Sequence, residues 1–351
     1  MCDTRGTRLG RLTATAVALL CALTAGATIS RGVYAAHQGQ GVAESEEKGP
    51  VASGSYRMHL QFGGYPRSFI VYIPKGYVPM DQKPLPLVVM LHGGGGDGAG
   101  IERQSGWNPL ADKEKFFVAY PDALPASPRH AASPHANPRF WNDASGRGTP
   151  LHASVDDVGF LGAILDDLER RFTVDSKRIY VTGFSNGASM AFHAASSPLA
   201  NRVAAAAPVA GHFFDDSKTH GERLPPLLLI YGDKDPLNPL RGEMRTPGGA
   251  TEGLPAVSDT VTRWAKYTGC PAEPVLISDK AGVKHYAYGP GKEGVEFLYW
   301  IVAGMGHRWP GGKGEELSES SLGPASSRMQ GTQAIWKFFA RHTLAIRSET
   351  P

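Results

Sequence analysis

The sequence predicts an α/β protein built on a mostly parallel sheet with helices on both faces. Strand-like apolar runs alternate with helical ones along most of the chain, and that alternation is typical of such sheets. One run, "LPLVVMLHG" (85–93), is continuously apolar, as in a strand buried on both faces. Another segment, 156–172, has its leucines at helical spacing. Ligands of open parallel sheets bind beyond the carboxyl ends of the strands, so candidate residues are sought there.

The same reasoning assigns the remaining elements in chain order. The predicted strands are 67–74, 85–93, 116–122, 178–184, 203–211, 224–232, 274–279, 284–289 and 295–302. The predicted helices are 156–172, 186–197, 257–269 and 329–342. Two segments, 124–155 and 311–327, are rich in loop-forming residues and are predicted to be long and irregular.

The N-terminus has the pattern of a secretory signal peptide, predicted over residues 1–35. Three arginines precede an apolar stretch at 12–23, which is too short for a comfortable membrane span of about 20 residues. Cleavage after Ala27 and after Ala35 both remain open. A lipid anchor on Cys21 is the alternative, but the leucines before that cysteine are bulky. We therefore expect a secreted protein, extracellular or periplasmic, without stable membrane association.

The mature chain divides into three predicted parts. Residues 36–54 are polar and predict a disordered linker. Residues 55–343 are predicted to form the single α/β domain in which the candidate residues below lie, and residues 344–351 a tail.

Charge and cysteine content exclude some classes of protein. The full chain has 36 Lys and Arg against 33 Asp and Glu, and removing residues 1–35 takes away four arginines and Asp3. The 32 residues of each sign that remain give no basis for nucleic acid binding. Of the three cysteines, only Cys270 lies outside the predicted signal peptide, so no internal disulfide is expected in the exported chain.

A candidate nucleophile lies in "GFSNGASM" (183–190), where a predicted strand gives way to a helix. Ser185 has glycines two positions before and two after it, the spacing that the tight turn of a nucleophile elbow requires. The alternative interpretation is a serine that only caps the helix.

A serine nucleophile needs a base and an acid that orients the base, and in elbow-type hydrolases both follow it in the chain, acid first. "YGDKDP" after a predicted strand provides Asp235, with Asp233 as the alternative. "GMGHRW" after the last strand provides His307 as the base. The other candidates are His193, within a helix, and His212, which precedes the acid and would break the order.

"MLHGGGGDG" follows a strand directly and predicts the oxyanion donors. One donor is the backbone N–H of Gly94 or Gly95, and the other is the N–H of Asn186, which follows the nucleophile. A phosphate loop is the alternative, but the run lacks a Gly-Lys-Ser/Thr ending, and Asp97 would repel phosphate. The scattered histidines of 124–155 have no metal-ligand spacing, so no metal is assigned.

Together these motifs resemble a secreted esterase family, that of polyhydroxybutyrate depolymerase-like proteins and type B feruloyl esterases. The resemblance covers Arg67 to His342 and rests on "LHGGGGD", "SGWNPLAD", "FFVAYPDA", "FWND", "VDDVGFL", "VDSKRIYVTGFSNGASMA", "APVAG", "GDKDPLNP" and "GMGHRWPGG" in one order. It implies an α/β-hydrolase fold without a large cap, a Ser185–Asp235–His307 triad, and hydrolysis of carboxylic esters through an acyl-enzyme without a cofactor.

The chain also departs from the family. Relatives often pair a cysteine at the position of Cys270 with one in the next strand, where this chain has "VKHYAYGPG". Depolymerases of true polyesters often have a cysteine after "LHG", where this chain has glycines. The acidic pair Asp156 and Asp157 is interpreted as structural, at the start of a helix.

The substrate is the least determined feature. Small or oligomeric esters are expected, of the feruloyl, acetyl or hydroxyalkanoate type. Trp107, Trp141 and Trp309 fall in predicted loops and are candidates for an aryl-binding pocket, with packing beneath the loops as the alternative. Two other functions stay open: a serine peptidase of the same fold, and a binding protein on an inactive hydrolase scaffold. The oligomeric state is not predicted.

Overall fold

The computed structural model describes residues 52–79, 83–214, 221–240, 254–313 and 319–344 of the chain. The chain separates into two units, Met1–Glu46 and Glu47–Pro351, and all described residues belong to the second. The predicted signal peptide and most of the predicted linker and tail lie outside the described residues. No helix in the described ranges is long and apolar enough to cross a membrane.

The described strands form one ten-stranded sheet in the order β1-β2-β4-β3-β5-β6-β7-β10-β9-β8. They are β1 (Gly54–Phe62), β2 (Tyr65–Ile73), β3 (Leu85–Leu91), β4 (Phe117–Pro121), β5 (Val174–Phe184), β6 (Ala205–Val209), β7 (Leu227–Gly232), β8 (Val275–Lys280), β9 (Val283–Tyr288) and β10 (Phe297–Val302). The six central strands, β4-β3-β5-β6-β7-β10, are parallel to one another. Two antiparallel strands extend the sheet at each edge. The predicted mostly parallel sheet is confirmed.

Helices cover both faces of this sheet. Neighbouring residues of a strand point to opposite faces, and in the buried strands both sets are apolar, so each face needs a covering layer. On β3, Val88 and Met90 face one apolar cluster, and Leu87, Val89 and Leu91 face the other. The helices are α1 (Gly98–Ser105), α2 (Trp107–Glu114), α3 (Asp157–Arg171), α4 (Asn186–Ser196), α5 (Val257–Thr268), α6 (Glu319–Leu322) and α7 (Gly331–Phe339). Helices α2, α5 and α7 pack on the first cluster, and α3 packs on the second.

Several elements differ from the predicted ones. β1 begins at Gly54, the last residue of the predicted linker. Its side chains alternate between half-buried and exposed, and the sequence "SYRMHLQF" has the same polar–apolar alternation, which the prediction missed. Helices α1 and α2 were not predicted, because each has only eight residues and a polar face. The predicted irregular segment 124–155 has only isolated bridges and turns, and no cap domain occurs in the described ranges.

The acidic pair at the start of α3 has two structural roles. Asp156 is the N-cap, and its carboxylate accepts the Gly159 N–H at 2.7 Å. Asp157 is buried and forms an ion pair with the buried Arg67 of β2 at 2.7 Å. It also accepts the backbone N–H of Asn142 at 2.8 Å, so it ties the 124–155 segment to the sheet.

Candidate active site

Ser185 occupies a strained turn between β5 and α4. Its backbone has φ 57° and ψ −122°, in the left-handed half of the map that residues with a side chain rarely adopt. Such a conformation costs about 1–3 kcal/mol and persists only where the surrounding structure imposes it. The Ser185 side chain makes no capping hydrogen bond to α4, so the interpretation as an ordinary helix cap finds no support.

The flanking glycines are a steric requirement of this turn. A Cβ atom at Gly183 would lie 2.2 Å from the carbonyl oxygen of Gly187. A Cβ atom at Gly187 would lie 2.4 Å from the carbonyl oxygen of His92, at the end of β3. Backbone atoms cannot move aside as flexible side chains can. The glycines flanking Ser185 are therefore required because the start of α4 packs in direct backbone contact with β5 and the end of β3.

The predicted acid and base lie together at the same edge of the sheet. Asp235 follows β7 and His307 follows β10, and these neighbouring strands are parallel, so their carboxyl ends coincide. His307 Nδ1 lies 2.8 Å from Asp235 Oδ2, and both side chains are buried. The His307 ring packs on the ring of Phe184 at a centroid distance of 4.8 Å, directly beside Ser185 in the chain. The acid and base are thus in contact, and His307 lies beside the residue that precedes Ser185.

The Asp235 carboxylate has four hydrogen-bond donors around it. Oδ1 accepts the backbone N–H groups of Leu237 and Asn238, both at 2.8 Å. Oδ2 faces His307 and also accepts the Asn238 amide at 3.3 Å. Burial by itself would raise the pKa of Asp235, but His307 and the backbone donors outweigh it and lower the pKa below its ordinary value. The carboxylate therefore stays ionised where a base must be oriented.

Asp233, the alternative acid, has a different role. Its backbone N–H donates to Val302, and its carboxylate accepts the Gly304 N–H at 2.7 Å. These bonds connect the loops after β7 and β10. Asp233 is exposed, and the geometry favours Asp235 as the partner of His307.

The two alternative histidines lie elsewhere. His193 is in the last turn of α4. His212 is buried, with its Nδ1 2.9 Å from Thr260 Oγ1 and its Nε2 2.6 Å from Asn238 Oδ1. Burial lowers the pKa of His212 to about 4, so its ring is neutral at physiological pH. Among the residues that the structure describes, Asn238 connects His212 to the acid and base.

Asn238 is a site residue that the sequence analysis missed. Its amide nitrogen donates to the Ala210 carbonyl at 2.9 Å and to Asp235, and lies 3.0 Å from His307 Nδ1. Its amide oxygen faces His212, and turning the amide over would place that oxygen against two other acceptors. The only sequence signal was an asparagine three residues after the acid, in "DPLN", and such residues are common in ordinary turns.

The predicted oxyanion donors differ in availability. The Gly95 N–H donates to the Arg139 carbonyl at 2.8 Å, so of the two predicted glycines this one is excluded as a donor. Within the described ranges, the N–H groups of Gly94 and Asn186 have no protein acceptor. A Cβ built on Gly94 would lie 3.8 Å from the Asn186 Cβ, which places the two close together. Gly94 and Asn186 are therefore the available pair.

The Asn186 side chain fixes the start of α4 to the loop above it. Its Oδ1 accepts the Trp141 N–H at 2.8 Å, and its Nδ2 donates to Asp143 at 2.9 Å. Asp143 also forms an ion pair with Arg147. The Arg147 guanidinium lies 5.6 Å from the ring of Phe140. Segment 124–155 is thereby held against the nucleophile turn.

The three tryptophans do not line an open pocket, which corrects the predicted aryl-binding role. Trp107 and Trp141 are fully buried and Trp309 is 2% exposed. Trp107 begins α2 rather than lying in a loop, and it packs in the core against Phe116 and Phe339.

The other two indoles are fixed by hydrogen bonds. The Trp141 N–H donates to the His92 carbonyl at 2.9 Å, and the Trp309 N–H donates to Thr332 at 2.9 Å. Packing beneath the loops accounts for both rings.

A metal site is not found in the described part of the chain, where no group of three or more His, Cys, Asp or Glu could hold an ion. Cys270 is a free cysteine whose sulfur accepts the Thr268 hydroxyl at 3.3 Å.

Comparisons with known proteins support an esterase family. Residues 67–220 match the family model described as esterase PHB depolymerase. The putative esterase NocK of Nocardia uniformis subsp. tsuyamanensis is 29% identical over 283 residues, 76% of this chain and 77% of that protein. Feruloyl esterase B of Piromyces equi is 28% identical over 255 residues, 70% of this chain and 44% of that protein.

Some relatives are much longer than the matched part. The bifunctional acetylxylan esterase/xylanase XynS20E of Neocallimastix patriciarum is 26% identical over 248 residues, 70% of this chain but 31% of that protein. Among solved structures, an S-formylglutathione hydrolase from Agrobacterium tumefaciens aligns with a TM-score of 0.51 at 12% identity, over 84% of this chain and 97% of that one. That likeness bears on the fold alone, and it is the α/β-hydrolase fold.

Proposed function

We propose that the chain is a serine esterase of the PHB depolymerase family, whose model matches residues 67–220, and that it uses Ser185, His307 and Asp235 as its catalytic triad. The observation that carries this proposal is the 2.8 Å contact of His307 with a buried, ionised Asp235, next to the strained turn that presents Ser185. A serine hydroxyl is a weak nucleophile, and an oriented imidazole is what makes it reactive.

The reaction proceeds through an acyl-enzyme. His307 Nε2 accepts the Ser185 proton as Oγ attacks the ester carbonyl, and Asp235 holds the Nδ1–H tautomer of the ring. The tetrahedral intermediate collapses, and His307 returns the proton to the departing alcohol. Water then attacks the acyl-enzyme by the same route and releases the carboxylic acid.

The negative charge of the tetrahedral intermediate lies at the N–H groups of Gly94 and Asn186. Both are backbone donors, and Asn186 is in addition at the N-terminus of α4, where the helix dipole favours negative charge. Donors already in place need no reorganisation during the reaction, and each contributes about 3–4 kcal/mol to transition-state stabilisation.

We assign feruloyl, acetyl or short hydroxyalkanoate esters as the substrate class. The names of the relatives support this range, since they include a feruloyl esterase, an acetylxylan esterase and a poly(3-hydroxyalkanoate) depolymerase. A panel of methyl ferulate, an acetylated xylan oligomer and a hydroxybutyrate trimer ranks the three by kcat/KM.

We propose export through the signal peptide at residues 1–35. Its support is the order of arginines, apolar stretch and small residues in the sequence. The intact mass of protein recovered from the medium or periplasm would identify cleavage after Ala27 or Ala35. Recovery of full-length chain from the cytoplasm alone would contradict the proposal.

Hydrolysis of p-nitrophenyl acetate tests the serine mechanism. Ser185→Ala should lower kcat by about 10⁶, the loss seen when a triad nucleophile is removed. Ser196→Ala is the matched control, because its hydroxyl, at the end of the same helix, only donates to the His193 carbonyl. Ser185→Ala protein that folds and keeps a tenth of the activity would overturn the proposal.

A further inference from the structure

A second groove lies at the β8 edge of the sheet, beside α7. The sheet continues past β10 by two antiparallel strands, and α7 forms the wall along them. The groove has a volume of about 690 Å³. None of the residues that line it belongs to the proposed triad or to the oxyanion pair, so its occupant is independent of the proposed ester hydrolysis.

Aromatic and apolar side chains form the floor of this groove. Trp300 of β10 and His285 of β9 are directly opposite each other, and their rings stack at 4.2 Å with an angle of 16°. Both are half-buried. Ile277 of the edge strand β8 is 61% exposed at the same groove. Aromatic and apolar surface left open in this way is typical of a binding site.

The rim of the groove is basic. Its lining holds Lys280, Arg328, Lys337 and Arg341 against a single acidic residue, Glu296. Glu296 is paired with Arg341 at 3.1 Å. In the described ranges the other three cations have no ion-pair partner. They are concentrated here although residues 36–351 carry 32 residues of each sign, so the positive charge is local.

We propose that this groove binds a polysaccharide whose sugars carry carboxylates. The apolar faces of pyranose rings pack on the Trp300–His285 pair, and the carboxylates pair with the three free cations. Gln330 and Gln333 of the same lining supply amide groups for sugar hydroxyls.

A single-stranded nucleic acid also has flat rings and negative charge, but it is the less favoured ligand. Its affinity comes mainly from many phosphate contacts, and here only three unpaired cations are available. A polyuronate carries hydroxyl groups beside the carboxylate on each sugar, so it matches a lining that has Gln330 and Gln333 next to the three unpaired cations.

Affinity electrophoresis of the full protein through polygalacturonate tests the proposal. We expect retardation by polygalacturonate at low salt and none by unsubstituted xylan. The double variant Arg328→Gln/Lys337→Gln should bind polygalacturonate at least tenfold more weakly, as should Trp300→Ala. Lys177→Gln, an exposed lysine on another part of the surface, is the control and should bind normally.

Activity on p-nitrophenyl acetate separates this site from the catalytic one. The charge variants should keep it unchanged, and Ser185→Ala should keep polygalacturonate binding. Equal binding to neutral xylan, no retardation at all, or unaltered binding by the Arg328/Lys337 variant would overturn the proposal. Tighter, Trp300-dependent binding of single-stranded DNA would overturn it in favour of a nucleic acid.

Discussion

The amide nitrogen of Asn238 lies 3.3 Å from Oδ2 of Asp235, the same oxygen that faces His307. The buried His212 ring fixes the orientation of this amide through a contact with its oxygen. Two residues outside the proposed triad thus hold its acid in place. The orientation of Asp235 toward His307 therefore depends on a hydrogen-bond network that extends from the end of β6 to α5.

Asn238→Val should lower kcat about tenfold to a hundredfold and leave KM nearly unchanged. The variant removes one hydrogen bond to a charged group, worth about 1.5–3 kcal/mol, and touches no substrate. Steady-state kinetics on p-nitrophenyl acetate measure both constants. Asn201→Val, at an exposed position, is the control. Unaltered kcat in folded Asn238→Val would show that the backbone donors alone position Asp235.

His212 should make stability depend on pH between about 6.5 and 4. The pKa of its ring is about 4 in the folded state and has its ordinary value, near 6.5, in the unfolded state. Below pH 6.5 the unfolded state therefore binds a proton that the folded state does not bind, and the free energy of unfolding falls as the pH falls. The contribution lost between pH 7 and pH 5 is about 2 kcal/mol.

Urea unfolding of wild type and His212→Gln at these two pH values measures this contribution. Glutamine does not titrate, so the variant should lose about 2 kcal/mol less than wild type on acidification. Other buried histidines affect both proteins equally. Identical losses in the two proteins would mean that His212 is protonated without cost.

Asp235→Asn should lower kcat by about 10⁴, because the amide stabilises the wrong tautomer of His307. Asp233→Asn should have a far smaller effect, since that carboxylate only accepts the Gly304 N–H at a loop. The two changes are chemically identical and two residues apart, so each is the control of the other. A larger loss in Asp233→Asn would make Asp233 the acid.

Gly187→Ala should destabilise the fold by more than about 1–3 kcal/mol, the usual cost of forcing a methyl group into a packed interior. The new Cβ would meet two backbone oxygens within 2.5 Å, those of His92 and Leu91. Gly162, inside α3, is the opposite case: a Cβ atom there would meet only a methyl group of Leu199, at 3.9 Å. Gly162→Ala should therefore be neutral or stabilising. Thermal unfolding of both variants measures the difference. Equal melting temperatures would contradict the steric account of the elbow.

The parallel strands and α3 could be predicted because their apolar patterns are long and regular. The positions of Ser185, Asp235 and His307 could be predicted because each follows an apolar run at the same sheet edge. Asn238 could not, since its role depends on His212 and Ala210, which are remote in sequence. Nor could the burial of Trp107, because it requires knowing that α7 packs against α2.

Covalent labelling of the active serine tests the central claim most directly. A fluorophosphonate reacts only with a serine that a neighbouring base activates, and peptide mapping identifies the modified residue. The account predicts one adduct per chain, on Ser185, with complete loss of esterase activity and no adduct in His307→Ala. A single inactivating adduct on any other residue, or full activity in protein labelled at Ser185, would contradict it.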